Sequence, residues 1–105
     1  MNNSSTYIGT ELKLNISIDK IADYTMDDYE FDVEFYCYSN RRLAMSKEAL
    51  IRKDENNYLA VVDSKSLGAG MVKCKITAYI PDADCNDGTR VEVCLVDTGI
   101  LVTGA

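Results

Sequence analysis

The chain has no histidine, and its patterns that could suggest chemistry are its acid clusters, its thiols and one glycine-rich loop. That composition removes the commonest general base, and with it the Ser-His, Cys-His and histidine-zinc arrangements. The four thiols are Cys37, Cys74, Cys85 and Cys94. None forms a CxxC pair, so the usual zinc spacings are missing too. The acids gather in two stretches. Asp82, Asp84, Asn86 and Asp87 open like a calcium loop, but the glycine comes one position late, at Gly88. Val93 stands where such a loop needs a bidentate glutamate, so these residues read as turn formers. Asp19, Asp23, Asp27, Asp28 and Glu30 fit no calcium spacing. With Ile21, Tyr24, Met26 and Tyr29 between them, they read as a solvated connection whose apolar residues tuck onto a sheet edge. Gly68-Ala69-Gly70 lacks the following helix and the Lys-Ser/Thr of a phosphate loop. A glycosidase pair needs one carboxyl of raised pKa, and acids in polar turns or on outward faces have nothing to raise it. The expectation is a protein that is not an enzyme, with no catalytic residue, no cofactor and no metal.

The elements that position these residues are strands, organised around Met71 to Val102. Val72, Cys74, Ile76, Ala78 and Ile80 alternate with Met71, Lys73, Lys75, Thr77 and Tyr79, the period of a strand with one face in a core. Pro81 ends donation to the ladder and Asn86-Asp87-Gly88 supplies a reversal. Arg90 to Asp97 then returns as a second strand with Val91, Val93 and Leu95 on one face. Asp97-Thr98-Gly99 breaks the alternation, and a bulge at Gly99 would re-aim Ile100-Leu101-Val102. That tail either pairs with the first strand or presents an apolar edge to another subunit.

Upstream, Leu12, Leu14, Ile16 and Ile18 alternate with polar residues in a first strand. Phe31, Val33, Phe35 and Cys37 do the same in a second, with Asp32, Glu34, Tyr36 and Tyr38 on its other face. Tyr36 and Tyr38 fit a recognition stripe and a cover for neighbouring aliphatic stems equally well. Ser39 to Arg42 is a turn and Leu43 to Met45 a short strand. Ser46 to Lys53 could cap and start a helical turn, but its place among regularly spaced short strands argues for extended chain instead. Tyr58 to Asp63, apolar on both faces, suits an interior strand.

Residues 1–9 are polar except for Tyr7 and Ile8 beyond Met1, and read as a flexible N-terminal arm. Residues 10–105 form one domain: all-β, an immunoglobulin-like antiparallel β-sandwich of about seven strands, with a small barrel as the alternative. The expected core contains Leu14, Ile16, Val33, Phe35, Cys74, Ile76, Val91 and Val93. Cys37 and Cys74 both face inward, as the cross-sheet bridge of immunoglobulin domains does. Without a secretion signal, however, buried free thiols are the default. The net charge of −6 argues against nucleic acid, and no apolar run is long enough to span a membrane.

A resemblance adds a setting. The hairpin Ala78-Tyr79-Ile80-Pro81-Asp82-Ala83-Asp84-Cys85-Asn86-Asp87-Gly88-Thr89-Arg90-Val91-Glu92-Val93 resembles a pattern in small virion-associated proteins of phages infecting gut Bacteroidetes. The segments 26–33, 47–58 and 67–70 are similar as well. Cys85 departs from the pattern, standing where such loops carry an aromatic residue. The resemblance implies a virion structural protein, made in the host cytoplasm, that repeats as a homo-oligomer. It would dock on other virion proteins of the capsid, as a head fibre or decoration protein, or of the tail and baseplate. A carbohydrate-binding or adhesin-type sandwich is the alternative. The expected assembly contacts are the two apolar ends, Tyr7 and Ile8 in the arm and Ile100, Leu101 and Val102 in the tail.

Overall fold

The computed structural model describes residues 4–37 and 42–104. Tyr38 and positions 39–41 of the expected turn lie outside these. The strands are β1 (Ser4–Tyr7), β2 (Glu11–Ser17), β3 (Glu30–Tyr36), β4 (Arg42–Ser46), β5 (Ile51–Asp54), β6 (Asn57–Asp63), β7 (Gly70–Pro81) and β8 (Thr89–Thr103). They form a five-stranded sheet in the order β1-β8-β7-β3-β4 and a three-stranded sheet in the order β2-β6-β5. The result is a β-sandwich, as the alternation predicts.

The core lies between β3 and β7 of the larger sheet and β2 and β6 of the smaller. Leu12, Leu14 and Ile16 of β2 are buried, as are Tyr58, Ala60 and Val62 of β6. Phe31, Val33 and Phe35 of β3 and Val72, Cys74, Ile76, Ala78 and Ile80 of β7 meet them. One face of each strand is thus sequestered at period two. The connection from β2 to β3 adds Met26 and Tyr29 to the core, the tucked residues of the acidic stretch. Phe31 sets its ring edge-on between Tyr29 and Tyr58, at centroid distances of 6.1 and 5.3 Å.

Ser46 to Lys53 is extended as expected only from Ile51 onward. Lys47–Ala49 makes a single 3-10 turn, and extended chain follows in β5. The break at Gly99 is a true irregularity. Between the pairs Lys73–Asp97 and Met71–Leu101, β7 contributes Val72 alone while β8 contributes Thr98, Gly99 and Ile100. Gly99 takes φ 75°, a left-handed conformation that glycine adopts without a Cβ clash. The Thr98 hydroxyl donates to the Val72 carbonyl at 2.8 Å, and Asp97 Oδ1 accepts from the Gly99 N–H at 3.0 Å. The groups released by the bulge are therefore reused locally.

Three expectations need correction. Ser4–Tyr7 is a strand rather than a flexible arm, pairing in parallel with Ile100–Thr103. The sandwich is accordingly not purely antiparallel, and the tail pairs with this strand instead of with β2. Val91 and Val93 are not core residues, at 55% and 56% exposure. Both lie on the outer face of the larger sheet, because register sets them opposite Tyr79 and Thr77, the residues of β7 that alternate away from its buried face.

Candidate assembly surface

The two apolar ends expected to act separately are one structure. Register pairs Ser5 with Leu101, Thr6 with Val102 and Tyr7 with Thr103, and the Ile8 N–H donates to the Thr103 carbonyl at 2.9 Å. Partners in a ladder share a face, so Tyr7 and Leu101 lie on the outside while Thr6 and Val102 point inward. Tyr7 is 70% exposed and Leu101 39%, and both are open to a partner. Val102 is buried in the core, and Ile8 and Ile100 are partly buried against it. Val102 is therefore a packing residue and not a docking contact.

The larger surface is one the sequence reading placed in the core. Along β8, Val91, Val93 and Leu95 line the outer face, with Leu95 at 67% exposure. Tyr79 of β7, opposite Val91, extends the stripe. On the inner face of the same strand, Val96 is 40% exposed and Cys94 is exposed. β8 is thus open on both faces over its first half. Its register shows why: Cys74 opposes Val96 and Ile76 opposes Cys94, but only the β7 member of each pair lies under the smaller sheet. Beside the uncovered inner face runs a groove of about 400 Å³, with Leu14 and Ile16 of β2 on one wall and Val96 and Ile100 on the other.

Charges bracket the apolar stripe. Lys73 pairs with Asp97 at 2.8 Å, and that contact with the Gly99 N–H holds the Asp97 carboxyl below the usual range. At the other end Arg90 lies 2.7 Å from Glu92 and 3.4 Å from Asp82. Asp82 also accepts from the Asp84 N–H at 3.0 Å, so this carboxylate closes its own loop as a turn former does. Asp87 takes φ 60° and the Asp82 N–H donates to the Gly88 carbonyl at 2.9 Å, completing the reversal. Among the described residues, no three His, Cys, Asp or Glu side chains are grouped to hold a metal ion. Nor is any helix there long and apolar enough to cross a membrane.

The second charged cluster is a brace. Asp27 accepts three bonds from Arg52, the shortest at 2.7 Å, and a fourth from the Tyr58 hydroxyl at 2.5 Å. Lys47 reaches the carbonyls of Asp27 and Tyr29 at 3.2 and 2.9 Å. The Arg52 bonds and then the Tyr58 bond pull the Asp27 pKa down to about 2, while burial and then the carboxylate push Tyr58 up to about 12. This network ties the acidic connection to the smaller sheet. Nothing in the stretch from Asp19 to Glu30 marked Asp27 out from its neighbours, since its partners lie on strands far along the chain.

Tyr36 does not stand open as a recognition ring: the Arg42 guanidinium lies over it at 4.4 Å from the centroid. All four cysteines are free thiols, two of them outside the core. Cys37 is buried and its Sγ lies 3.6 Å from the Gly70 carbonyl. Burial pushes the Cys74 thiol up to about 11. Compared with family models, curated proteins and solved structures, the chain matches none.

Proposed function

We propose that the protein is a non-enzymatic structural subunit that works in repeated copies on a bacteriophage particle, docking to capsid or tail proteins. The observation that carries the assembly reading is the open half of β8, where Val91, Val93 and Leu95 are each more than half exposed on one strand face. An apolar stripe on an unpaired sheet margin offers both a template for strand pairing and apolar area to bury against a partner. Tyr7 and Leu101 continue that outer face beyond the bulge. The particle setting rests on the resemblance of residues 78–93 to small virion proteins.

The test is mass spectrometry of purified particles from a host carrying the gene, with copy number measured against the major capsid protein. Presence at a fixed multiple of that protein is expected. Absence from washed particles overturns the reading. A second arm uses Tyr7→Asp with Leu101→Asp, two exposed positions whose change leaves the core intact. Loss of incorporation with an unchanged melting curve locates the docking face there. Full incorporation moves docking to the β8 stripe.

A further inference from the structure

We infer that the protein forms a two-fold symmetric dimer in which β8 of one copy pairs antiparallel with β8 of a second, in the register centred on Val93. This names the self-contact of the assembly proposed above but does not depend on the particle setting.

The direction of each backbone group along β8 decides which of them are unused. The Gly88 carbonyl points toward β7, since it accepts from the Asp82 N–H. Across a trans peptide the next N–H points the other way, and direction alternates along an extended chain. Arg90, Glu92, Cys94 and Val96 therefore bond to β7. The Val72 carbonyl turned toward β8, where it accepts from Thr98, fits the same parity at the far end. Thr89, Val91, Val93, Leu95 and Asp97 turn their N–H and C=O groups to the outer edge. β1 occupies that edge only from Ile100 to Thr103. Among the described residues no strand covers it from Thr89 to Asp97.

This window is closed at both ends, by the Gly88 turn and by the Gly99 bulge, and Val93 is its midpoint. An antiparallel copy centred there pairs the whole window with itself. Thr89 then faces Asp97 of the second copy, Val91 faces its Leu95, and Val93 faces its Val93. Roughly ten backbone bonds form, two for each pair of edge residues. On the outer face the side chains make an unbroken apolar row with a hydroxyl against a carboxylate at either end. A two-fold axis requires a patch to complement itself, and on the outer face this sequence does so when read in reverse. On the inner face Arg90 meets Val96 of the second copy and Glu92 its Cys94. The edge also lacks two of the usual protections, although Arg90 and Glu92 remain as charges on its inner face. No lysine or proline lies between Thr89 and Asp97. In a chain of net charge −6 its ionised groups are Arg90, Glu92 and Asp97, the last already paired with Lys73, so little local charge opposes the contact. The continuous sheet so formed has ten strands across the two copies, twice the five of the larger sheet.

The test is sedimentation velocity of the full chain over a wide concentration range in reducing buffer. A concentration-dependent dimer is expected for the natural sequence. Val93→Lys places two ammonium groups opposite each other at the axis and should weaken association by on the order of a hundredfold. Val93→Pro removes an N–H directed at the edge and leaves the β7 ladder its donors, so it too should give monomer. Circular dichroism checks that each variant folds, and Leu95→Lys replaces either one that does not. Val61→Lys, at an exposed position of β6 on the other sheet, should leave the dimer unchanged. For the register, Val93→Cys with Cys85→Ser and Cys94→Ser should oxidise to a covalent dimer. Facing Cα atoms in such a pair lie about 5.5 Å apart, within disulfide reach. Leu95→Cys in the same background should not. A natural chain that stays monomeric throughout overturns the inference, as does a dimer that survives both Val93 changes. Either result leaves incorporation into particles as a separate measurement, so the particle reading stands or falls on its own.

Discussion

Phe35 and Val93 sit on strands of the same sheet and share the alternation that marks a core residue, yet the structure assigns them opposite energetics. Phe35 is wholly buried and Val93 is 56% exposed. Phe35→Ala removes a ring from the centre of the sandwich and leaves a cavity, at a cost of about 3–5 kcal/mol. For a chain of this length total stability is on the order of 5–15 kcal/mol, so the loss is a large fraction of it. Val93→Ala removes two carbon groups that would be worth about 1.6 kcal/mol if fully buried, at roughly 0.8 kcal/mol each. At its actual exposure the cost should fall below about 0.7 kcal/mol, close to the range of ordinary surface changes. The assay is urea unfolding followed by far-ultraviolet circular dichroism. It should be run at the lowest workable protein concentration so that self-association adds nothing to apparent stability. Both variants should keep the slope of the natural protein and differ only in midpoint. A cost above about 1.5 kcal/mol for Val93→Ala, or below about 1 kcal/mol for Phe35→Ala, would mean that β8 is covered or that the core lies elsewhere.

Two further outcomes follow from the polar groups. Arg52 and Tyr58 hold the Asp27 pKa near 2, below its unfolded value of about 3.9. Its contribution is therefore complete above about pH 4 and is lost as pH falls toward 2. Thermal melts should show Asp27→Asn to be less stable than the natural chain near neutrality, with the gap closing across that acid window; a gap independent of pH would refute the assignment. Among the thiols, exposed Cys94 should react with a disulfide reagent in the native state, while buried Cys37 and Cys74 should wait for unfolding. Fast native labelling of Cys74 would contradict its burial.

The strands of the core were legible because each keeps one residue type per face. Leu12, Leu14 and Ile16 and then Phe31, Val33 and Phe35 read inward and are inward. Val91 and Val93 carry the same signal and misled for a physical reason. Alternation reports that a face is apolar, not that a second layer exists to cover it. Register sets both valines opposite Tyr79 and Thr77, on the face turned away from the smaller sheet, and that pairing is a property of topology. Ser4–Tyr7 failed in the opposite sense. Its polar residues carry no strand pattern, and its pairing is set by β8, almost the whole length of the chain away. Asp27 was hidden likewise, being one acid among five until the fold brings Arg52 and Tyr58 to it. Of the candidate assembly surface, the apolar ends Tyr7, Ile8, Ile100, Leu101 and Val102 read alike in sequence, and only the fold separates exposed Tyr7 and Leu101 from the rest, just as the unused edge of β8 required the ladder to be known.

The parallel pairing of β1 with the end of β8 has a mechanical consequence. A pull applied at Ser4 in one direction and at Thr103 in the other runs along both strands, not across them. The bonds that join Ser4–Tyr7 to Ile100–Thr103 then carry the load together, in shear. In an antiparallel hairpin pulled at its two ends, by contrast, the bonds break in succession from the open end. Tension between the ends of this fold meets its resistance at the first contact it reaches, and the buried Val102 anchors that contact to the core.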